Sequence, residues 1–462
     1  MERRDLLGGL ALGSLAAGAT AFGPSSAEAN WGMVAPGPVP GADFDKRLLV
    51  NKARAYEIMD REGVDAIVAL NPVNVFYLGN YFSYELQKLR AIPSFAVMPR
   101  NEKMPTFLIV AGTDLEFIAN RDRDYPEVIP YTSAVDWHPY ADKANWGKEP
   151  AATEIRAAAY PDSLTVREQH WDDLVKKVST RRAATPEWGL VKALQECGLT
   201  KGKIAVDDFR IYDILKMLGQ NDVKCVPGDN TFRKIRLIKS EVELQHMRTI
   251  ARINQDACMA MLKQVHTGTT KADVDSIFMK EAAARGAKAM WIASGSTGGF
   301  PEDVAKPGRA MMVDAVCQRN FYHGDFGRTF VLGEPSKEIV ERMRILKLGR
   351  DTAFSTIKPG MKYSELTKTV SDAMQKSYRG GTKVRFGVGP HSVGLQHTDQ
   401  PYRDGLPFVV PDDLTFEVGM TLTVDLPTPE IGWGAIHFED LITVTKTGVE
   451  PLASLSDPLI VI

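Results

Sequence analysis

This chain of 462 residues has few cysteines, a small net charge and few long apolar runs. The four cysteines, Cys197, Cys225, Cys258 and Cys317, form no CxxC pair, so neither a zinc ribbon nor a disulfide-rich framework is indicated, and a single disulfide is left open. Lys and Arg number 56 against 58 Asp and Glu, and this net charge of -2 excludes a broadly basic nucleic-acid-binding surface. Beyond the N-terminal segment, no stretch approaches the ~20 apolar residues that a membrane-spanning helix needs.

The first 29 residues have the composition of an export signal. Arg3 and Arg4 are followed by a mild apolar stretch, GGLALGSLAAGATAFG, and by an Ala-Glu-Ala tripeptide before Asn30. A charged head, an apolar middle and small residues at a cleavage site are typical of secretory signals, and the paired arginines resemble the twin-arginine type. We therefore expect residues 1–29 to be removed and the mature protein to be periplasmic without a membrane span; a membrane anchor is the alternative.

Strand and helix patterns predict an α/β N-terminal domain over residues 45–228 and a C-terminal domain over residues 229–462. The apolar runs VDAIVAL, FAVMP, TFLIVAG and KIAVDD predict strands, and VREQHWDDLVKKV predicts a helix. The segment FRKIRLIKSEVELQHM is interpreted as a strand that leads into a long helix, with Ser240 and Glu243 as its capping box. Residues 121–162, rich in proline and aromatic residues, are predicted to form a long loop.

Four acids and one histidine in the last third of the chain stand in apolar, strand-like runs, where charge is normally rare. They are Asp314, Asp325, His391, Asp425 and Glu439. An unpaired buried carboxylate costs several kcal/mol or takes up a proton, and four carboxylates together repel one another unless cations lie between them. Many oxygen ligands with one nitrogen ligand suit Mn, Fe, Co or Zn, often as a pair of ions. The pattern therefore indicates a metalloenzyme.

The segments that carry these residues resemble the methionine aminopeptidase/prolidase/creatinase superfamily, the "pita-bread" enzymes. YHGDFGRTFVLG resembles its second-aspartate motif, PHSVGLQHTDQP its metal-histidine motif, and EVGMTLTVDLP and HFEDLITVTKTGVEPL its two closing acid strands. LIKSEVELQHMRTIARIN is similar to the interdomain helix, and VDAIVALNPVNVFYLGNY to the N-terminal domain of creatinases, prolidases and aminopeptidase P. The resemblance covers nearly the whole mature chain. It implies an α+β protein with a C-terminal pita-bread domain after an α/β creatinase-like N-terminal domain.

The resemblance also implies a ligand set, a reaction and an assembly. The five residues would bind two divalent transition-metal ions (Mn, Fe, Co or Zn), and catalysis would use His397 and Asp425. The nearest activity is that of Xaa-Pro aminopeptidases and dipeptidases, in which an activated water attacks an amide carbonyl and His397 helps to stabilise the oxyanion. We therefore expect an exported metal-dependent hydrolase of C–N bonds that acts on a small peptide or another small molecule and forms a homodimer.

Two departures from the superfamily pattern keep other reactions open. The first closing acid is usually glutamate, and here it is the shorter Asp425. WIASGSTGGFPED resembles the region that normally ends in a further substrate histidine, and it contains none. A small-molecule C–N hydrolase of the creatinase type, a metal-dependent lyase of the dimethylsulfoniopropionate-lyase type and a non-catalytic binding protein are the alternatives.

Side chains next to the predicted ligands carry expectations of their own. Arg328 is expected to pair with a ligand carboxylate. His323 and His437 each precede a predicted ligand by two residues and so share its strand face, with a supporting or a packing role left open. Asp440, which follows Glu439, is expected to face the other side of its strand.

Overall fold

A computed structural model of the chain describes residues 46–83, 93–119, 123–132, 142–292, 304–381, 383–404, 410–454 and 456–462. Residues 41–462 form one compact unit, and its described part is a mixture of helices and sheets, as expected for an α+β protein. The predicted export signal, residues 1–29, lies outside the described residues. The same holds for most of the WIASGSTGGFPED segment.

A six-stranded sheet occupies the N-terminal part. Its strands are β1 (Ala66–Ala69), β2 (Phe95–Pro99), β3 (Phe107–Ala111), β4 (Glu127–Tyr131), β5 (Gly202–Val206) and β6 (Val223–Pro227). They are ordered β4-β3-β2-β1-β5-β6, with antiparallel pairs around β2 and parallel pairs elsewhere. Strands β1, β2 and β3 are buried throughout, as continuous apolar runs require. The prediction of a long loop was wrong for residues 127–131, which form β4.

Helices flank this sheet and lead out of it. They are α1 (Lys52–Glu62), α2 (Pro72–Gly79), α3 (Leu115–Ala119), α4 (Val166–Val178), α5 (Pro186–Glu196), α6 (Arg210–Met217) and α7 (Asp229–Arg236). Short 3-10 helices cover Gly112–Asp114, Lys143–Asn145, Pro161–Ser163 and Ser179–Arg181. Helix α1 ends at Gly63, whose φ of 61° favours glycine. The strand predicted for FRKIR was wrong, because Phe232 and Ile235 are buried at the spacing of one helix face in α7.

A nine-stranded sheet carries the C-terminal part. The strands from here on are β7 (Lys288–Ile292), β8 (Met311–Arg319), β9 (Tyr322–His323), β10 (Phe326–Val331), β11 (His391–Ser392), β12 (Thr421–Asp425), β13 (Thr428–Glu430), β14 (Gly434–Ile436), β15 (Glu439–Val444), β16 (Val449–Pro451) and β17 (Leu459–Val461). The main path runs β11-β12-β15-β10-β8-β7, with β9, β16 and β17 paired beside it. Strands β13 and β14 form a separate hairpin. This order brings chain segments about a hundred residues apart to neighbouring positions.

Four helices accompany this sheet: α8 (Glu241–Leu262), α9 (Lys271–Ala284), α10 (Lys337–Thr356) and α11 (Tyr363–Ser377). Helix α8 packs against β8 and α9, while α10 packs against α11. The capping box predicted for α8 is confirmed, because Ser240 N donates to the Glu243 carboxylate (2.8 Å) and Glu243 N donates to Ser240 Oγ (3.1 Å).

Three further expectations concern the chain as a whole. All four cysteines are free thiols, so the disulfide left open by the sequence is not formed. No helix in the described ranges combines the length and the apolar character needed to cross a membrane. The domain boundary at 228/229 falls between the two sheets, but residues 41–462 form one compact unit, so the boundary stays a prediction.

Candidate metal centre

Neighbouring strands place three carboxylates in one row across the nine-stranded sheet. Strands β12, β15, β10 and β8 lie side by side. In their register Asp425 pairs with Glu439, Glu439 with Gly327, and Gly327 with Asp314. Residues directly opposite each other in antiparallel strands point to the same face of the sheet. These three acids, which are 14, 111 and 125 residues apart in the sequence, therefore meet because the strands pair in this order.

The other predicted ligands join this row by strand periodicity. Asp325 precedes Gly327 by two residues and so shares its face. His391 pairs with Thr423, which lies two residues before Asp425. The potential ligand atoms form three groups, each within 4.8 Å: Asp314, Asp325 and Glu439; His391, Asp425 and Glu439; Asp325, His391 and His397. The structure thus brings together all five predicted ligands and His397.

Asp325 and Glu439 are buried, Asp314 and Asp425 are partly exposed, and the group is short of hydrogen-bond donors. Among the described residues, none donates to Asp314 Oδ1 or to either oxygen of Asp325, although His397 Nε2 lies 3.0 Å from Asp325 Oδ2 outside hydrogen-bond geometry. Glu439 Oε1 accepts from Thr423 Oγ1 at 2.5 Å. Burial, and then the charges of the neighbouring acids, raise the pKa of Asp325 and Glu439 well above their ordinary values. Burial likewise raises the pKa of Asp314.

The side chains fit divalent cations. A cation would take the place of the missing donors and offset the repulsion that raises the carboxyl pKa values. Carboxylate oxygens with imidazole nitrogens are a donor set that Mn, Fe, Co and Zn accept. Burial, followed by the proximity of His397, lowers the pKa of His391 to about 4, and burial lowers that of His397. Both imidazoles therefore present unprotonated nitrogens at neutral pH, the form that metal binding requires.

His397 lies at the solvent-facing side of the cluster. Its ring centroid is 4.8 Å from that of His391 and 4.8 Å, edge-on, from that of Trp291 in β7. The His397 side chain keeps 30% of its surface exposed, against 1% for Asp325. His397 is therefore placed to meet a small molecule that approaches the carboxylates from solvent.

His437 is the residue whose place in the site sequence reasoning left undecided. Its Nε2 donates to Asp425 Oδ1 at 2.7 Å and lies 3.5 Å from Glu439 Oε2. Burial alone would lower its pKa, but the hydrogen bond to Asp425 and the nearby acids raise it to about 10. The sequence signal was the two-residue spacing before Glu439. His323 has the same spacing before Asp325, but its Nδ1 contacts the carbonyl of Gly394 (3.2 Å) instead.

Arg328 does not pair with a predicted ligand, so that expectation was wrong. Its guanidinium donates to Asp440 Oδ1 (2.7 Å) and to the backbone carbonyl of Glu439 (2.7 Å). It also lies over the rings of Phe326 and Phe438. Strand alternation puts Arg328 and Asp440 together on the face opposite the row of acids, as expected for Asp440. Arg328 therefore reaches the site through the backbone carbonyls of Gly327 and Glu439.

Carboxylates short of donors lie beside unprotonated imidazoles, in a cluster open to solvent at His397, and this arrangement suits a metal-dependent enzyme. Comparison with known proteins agrees. Residues 245–446 match metallopeptidase family M24, in line with a metal-dependent hydrolase, and the chain has the pita-bread fold of solved prolidases and Xaa-Pro dipeptidases.

Individual relatives are distant in sequence and similar in fold. The Xaa-Pro dipeptidase of Pyrococcus horikoshii is 27% identical over 243 residues, which cover 50% of this chain and 67% of the relative. A solved dipeptidase from the same organism shares 16% identity at a TM-score of 0.63, with 89% of this chain and 99% of that chain covered. A solved Xaa-Pro dipeptidase from Bacillus anthracis shares 18% identity at a TM-score of 0.62, with the same coverage. These relatives do not favour the lyase, creatinase-type or binding-protein alternatives.

Proposed function

We propose that this protein is a metallopeptidase with two divalent ions that hydrolyses the Xaa-Pro bond of small peptides. The observation that carries the proposal is the convergence of donor-poor, buried carboxylates with His391 at one point beside the exposed His397. The similarity to Xaa-Pro dipeptidases supports the choice of substrate.

Two overlapping groups would hold the two ions. Asp314, Asp325 and Glu439 form one group, and His391, Asp425 and Glu439 form the other, so that Glu439 is shared. Divalent cations bound there lower the pKa of a water and polarise the carbonyl of the substrate.

The chain's own side chains have distinct tasks around that centre. His397, neutral at pH 7 and partly exposed, can donate its ring N–H to the carbonyl oxygen as negative charge develops there. Asp425 has a side chain that is 19% exposed, against 2% for Glu439. A carboxylate in contact with solvent can exchange protons, so Asp425 is the acid that passes a proton to the leaving nitrogen.

The experiment is a substrate panel on the metal-stripped protein reloaded separately with Mn²⁺, Co²⁺ and Zn²⁺. Xaa-Pro dipeptides are compared with matched Xaa-Ala dipeptides and with small betaine-like compounds. We expect turnover of Xaa-Pro dipeptides that requires metal and is lost in Asp314→Asn. Turnover that persists in strong chelator, or that is confined to the non-peptide compounds, would refute the proposal.

We further propose that the chain is exported by the twin-arginine route and works as a periplasmic homodimer. The support is the Arg3-Arg4 pair for export and the superfamily resemblance for the dimer. Replacing both arginines by lysine should retain the protein in the cytoplasmic fraction, and light scattering of the mature protein should give twice the chain mass. Unchanged fractionation or a monomer mass would contradict the respective part.

A further inference from the structure

Gly327 leaves a gap in the row of acids, and the ring of His437 fills it. In the sheet register Gly327 stands between Asp314 and Glu439. A Cβ placed on Gly327 would lie 2.3 Å from Cε1 and 2.4 Å from Nδ1 of His437. No side chain tolerates such a contact, so the absence of one at Gly327 is what admits the imidazole to the metal-facing side of the sheet.

The ring is held there by contacts that do not involve the acids. His437 N donates to Thr329 Oγ1 (2.8 Å), and Thr329 Oγ1 donates to the His437 carbonyl (3.0 Å). Nδ1 faces the carbonyl oxygen of Val313 at 3.3 Å, which can only accept, so Nδ1 carries a proton. The residue is 1% exposed. Backbone and ring are thus both fixed, which leaves Nε2 aimed at the acids.

Nε2 reaches an acid of the row that is partly exposed. It donates to Asp425 Oδ1 at 2.7 Å and is 3.5 Å from Glu439 Oε2. Asp425 is the last residue of β12 and its side chain is 19% exposed, so the sheet alone does not determine where its carboxylate points. We propose that His437 is a positioning residue that holds the Asp425 carboxylate beside Glu439, so that both can reach the same ion. This role rests on the proposed metal centre.

The test measures Co²⁺ binding, by competition with a chelator and by visible absorbance, on the full-length mature protein. His437→Leu keeps much of the bulk and removes the donor, whereas His437→Gln keeps an N–H near the position of Nε2. We expect Leu to weaken Co²⁺ binding by roughly 10- to 100-fold, the usual cost of losing such a supporting contact, with the same number of ions bound at saturation. Gln should restore affinity to within about threefold of the original, because the hydrogen bond is kept.

His323→Leu is the matched control, since His323 has the same spacing before an acid and contacts no site carboxylate; its Co²⁺ affinity should stay unchanged. Gly327→Ala, which displaces the ring while keeping the imidazole, is the second variant if His437→Leu does not fold, and it should weaken Co²⁺ binding in the same range.

Wild-type affinity in His437→Leu or in a folded Gly327→Ala would overturn the proposal. A His437→Gln protein that binds Co²⁺ as weakly as His437→Leu would also overturn it. So would the loss of one bound ion at saturation in His437→Leu, because Nε2 would then be a metal ligand itself. Normal Co²⁺ binding without peptide hydrolysis would refute the proposed function alone.

Discussion

Replacing Asp325 by asparagine should have opposite effects on the protein with and without metal. Asp325 is 3% exposed, and neither of its oxygens accepts a hydrogen bond from a described residue. Its folded pKa is raised by burial and then by Asp314 and Asp425, so in the metal-free protein the ionised carboxylate costs stability above its unfolded pKa. Asparagine has nearly the same shape and no charge. The substitution should therefore stabilise the metal-free protein and remove the gain in stability that comes from the ion held by Asp314, Asp325 and Glu439.

The size of that gain follows from the ion and from the size of the folded unit. An ion present at 100 times its Kd adds about 2.7 kcal/mol to the free energy of unfolding. Unfolding entropy of about 2.1 cal/mol/K per residue over roughly 420 residues converts this to a rise in Tm of about 3 °C. We expect the original protein to show this rise for each of its two ions with Mn²⁺ or Zn²⁺, and Asp325→Asn to lose the rise of at least one of them. Peptide turnover should fall by more than about 100-fold, since replacing a residue that only hydrogen-bonds a metal ligand already lowers activity by up to about that factor.

The assay is thermal unfolding with chelator and with saturating metal, run beside turnover. Asp440→Asn is the matched control, because Asp440 is also buried and adjacent to Glu439 but pairs with Arg328 and Arg350 on the opposite face. It should lower Tm in chelator, since it leaves the buried Arg328 guanidinium without its carboxylate partner, and keep the rise with metal. Asp325→Asn protein that is less stable than the original in chelator, or that keeps the full rise with metal, would refute the reasoning.

Three further predictions concern residues around the centre. The folded pKa of His437, about 10, exceeds its unfolded value of 6.5, so protonated His437 stabilises the metal-free protein below pH 6.5 and this contribution is lost as pH rises towards 10. The Tm in chelator should therefore fall between pH 6.5 and 10. A His437→Gln variant whose Tm falls by the same amount would contradict this. Asp399→Ala leaves the buried Arg236 without its carboxylate partner (2.6 Å) and should cost about 3–5 kcal/mol in urea unfolding; a loss of under ~1 kcal/mol would show the pair to be dispensable. Trp291→Ala removes the ring next to His397 and should raise KM about 3- to 10-fold with kcat nearly unchanged, whereas a fall in kcat alone would place Trp291 in the chemistry instead.

What the sequence predicts well is what a single segment determines. A buried charge in an apolar run is visible in one strand, so Asp314, Asp325 and Glu439 were identifiable before any pairing was known. The capping box of α8 likewise needs only Ser240 and Glu243. Prediction from a local pattern fails where a short run of residues fits both the strand period of two and the helix period of about 3.6. Helix α7 is the example, because its apolar and basic residues alternate closely enough to suggest a strand while burial follows the helical period.

What the sequence does not predict is set by strand register. Alternation along each strand predicts that Arg328 and Asp440 point away from the ligand on their own strand. That the two side chains meet depends on the pairing of β10 with β15. The role of His437 depends on three strands at once, since Gly327 in β10 makes room for the ring and Asp425 in β12 receives its hydrogen bond. No property of the segment HFED alone separates His437 from His323 in YHGD. The difference appears only when the sheet is assembled.

The central claim is that four acids and His391 hold divalent cations, and elemental analysis of the mature protein purified without chelator tests it most directly. The account predicts close to two transition-metal ions per chain, falling by at least one in Asp325→Asn. A protein that binds no ion after reconstitution with Mn²⁺, Co²⁺ and Zn²⁺ would contradict it.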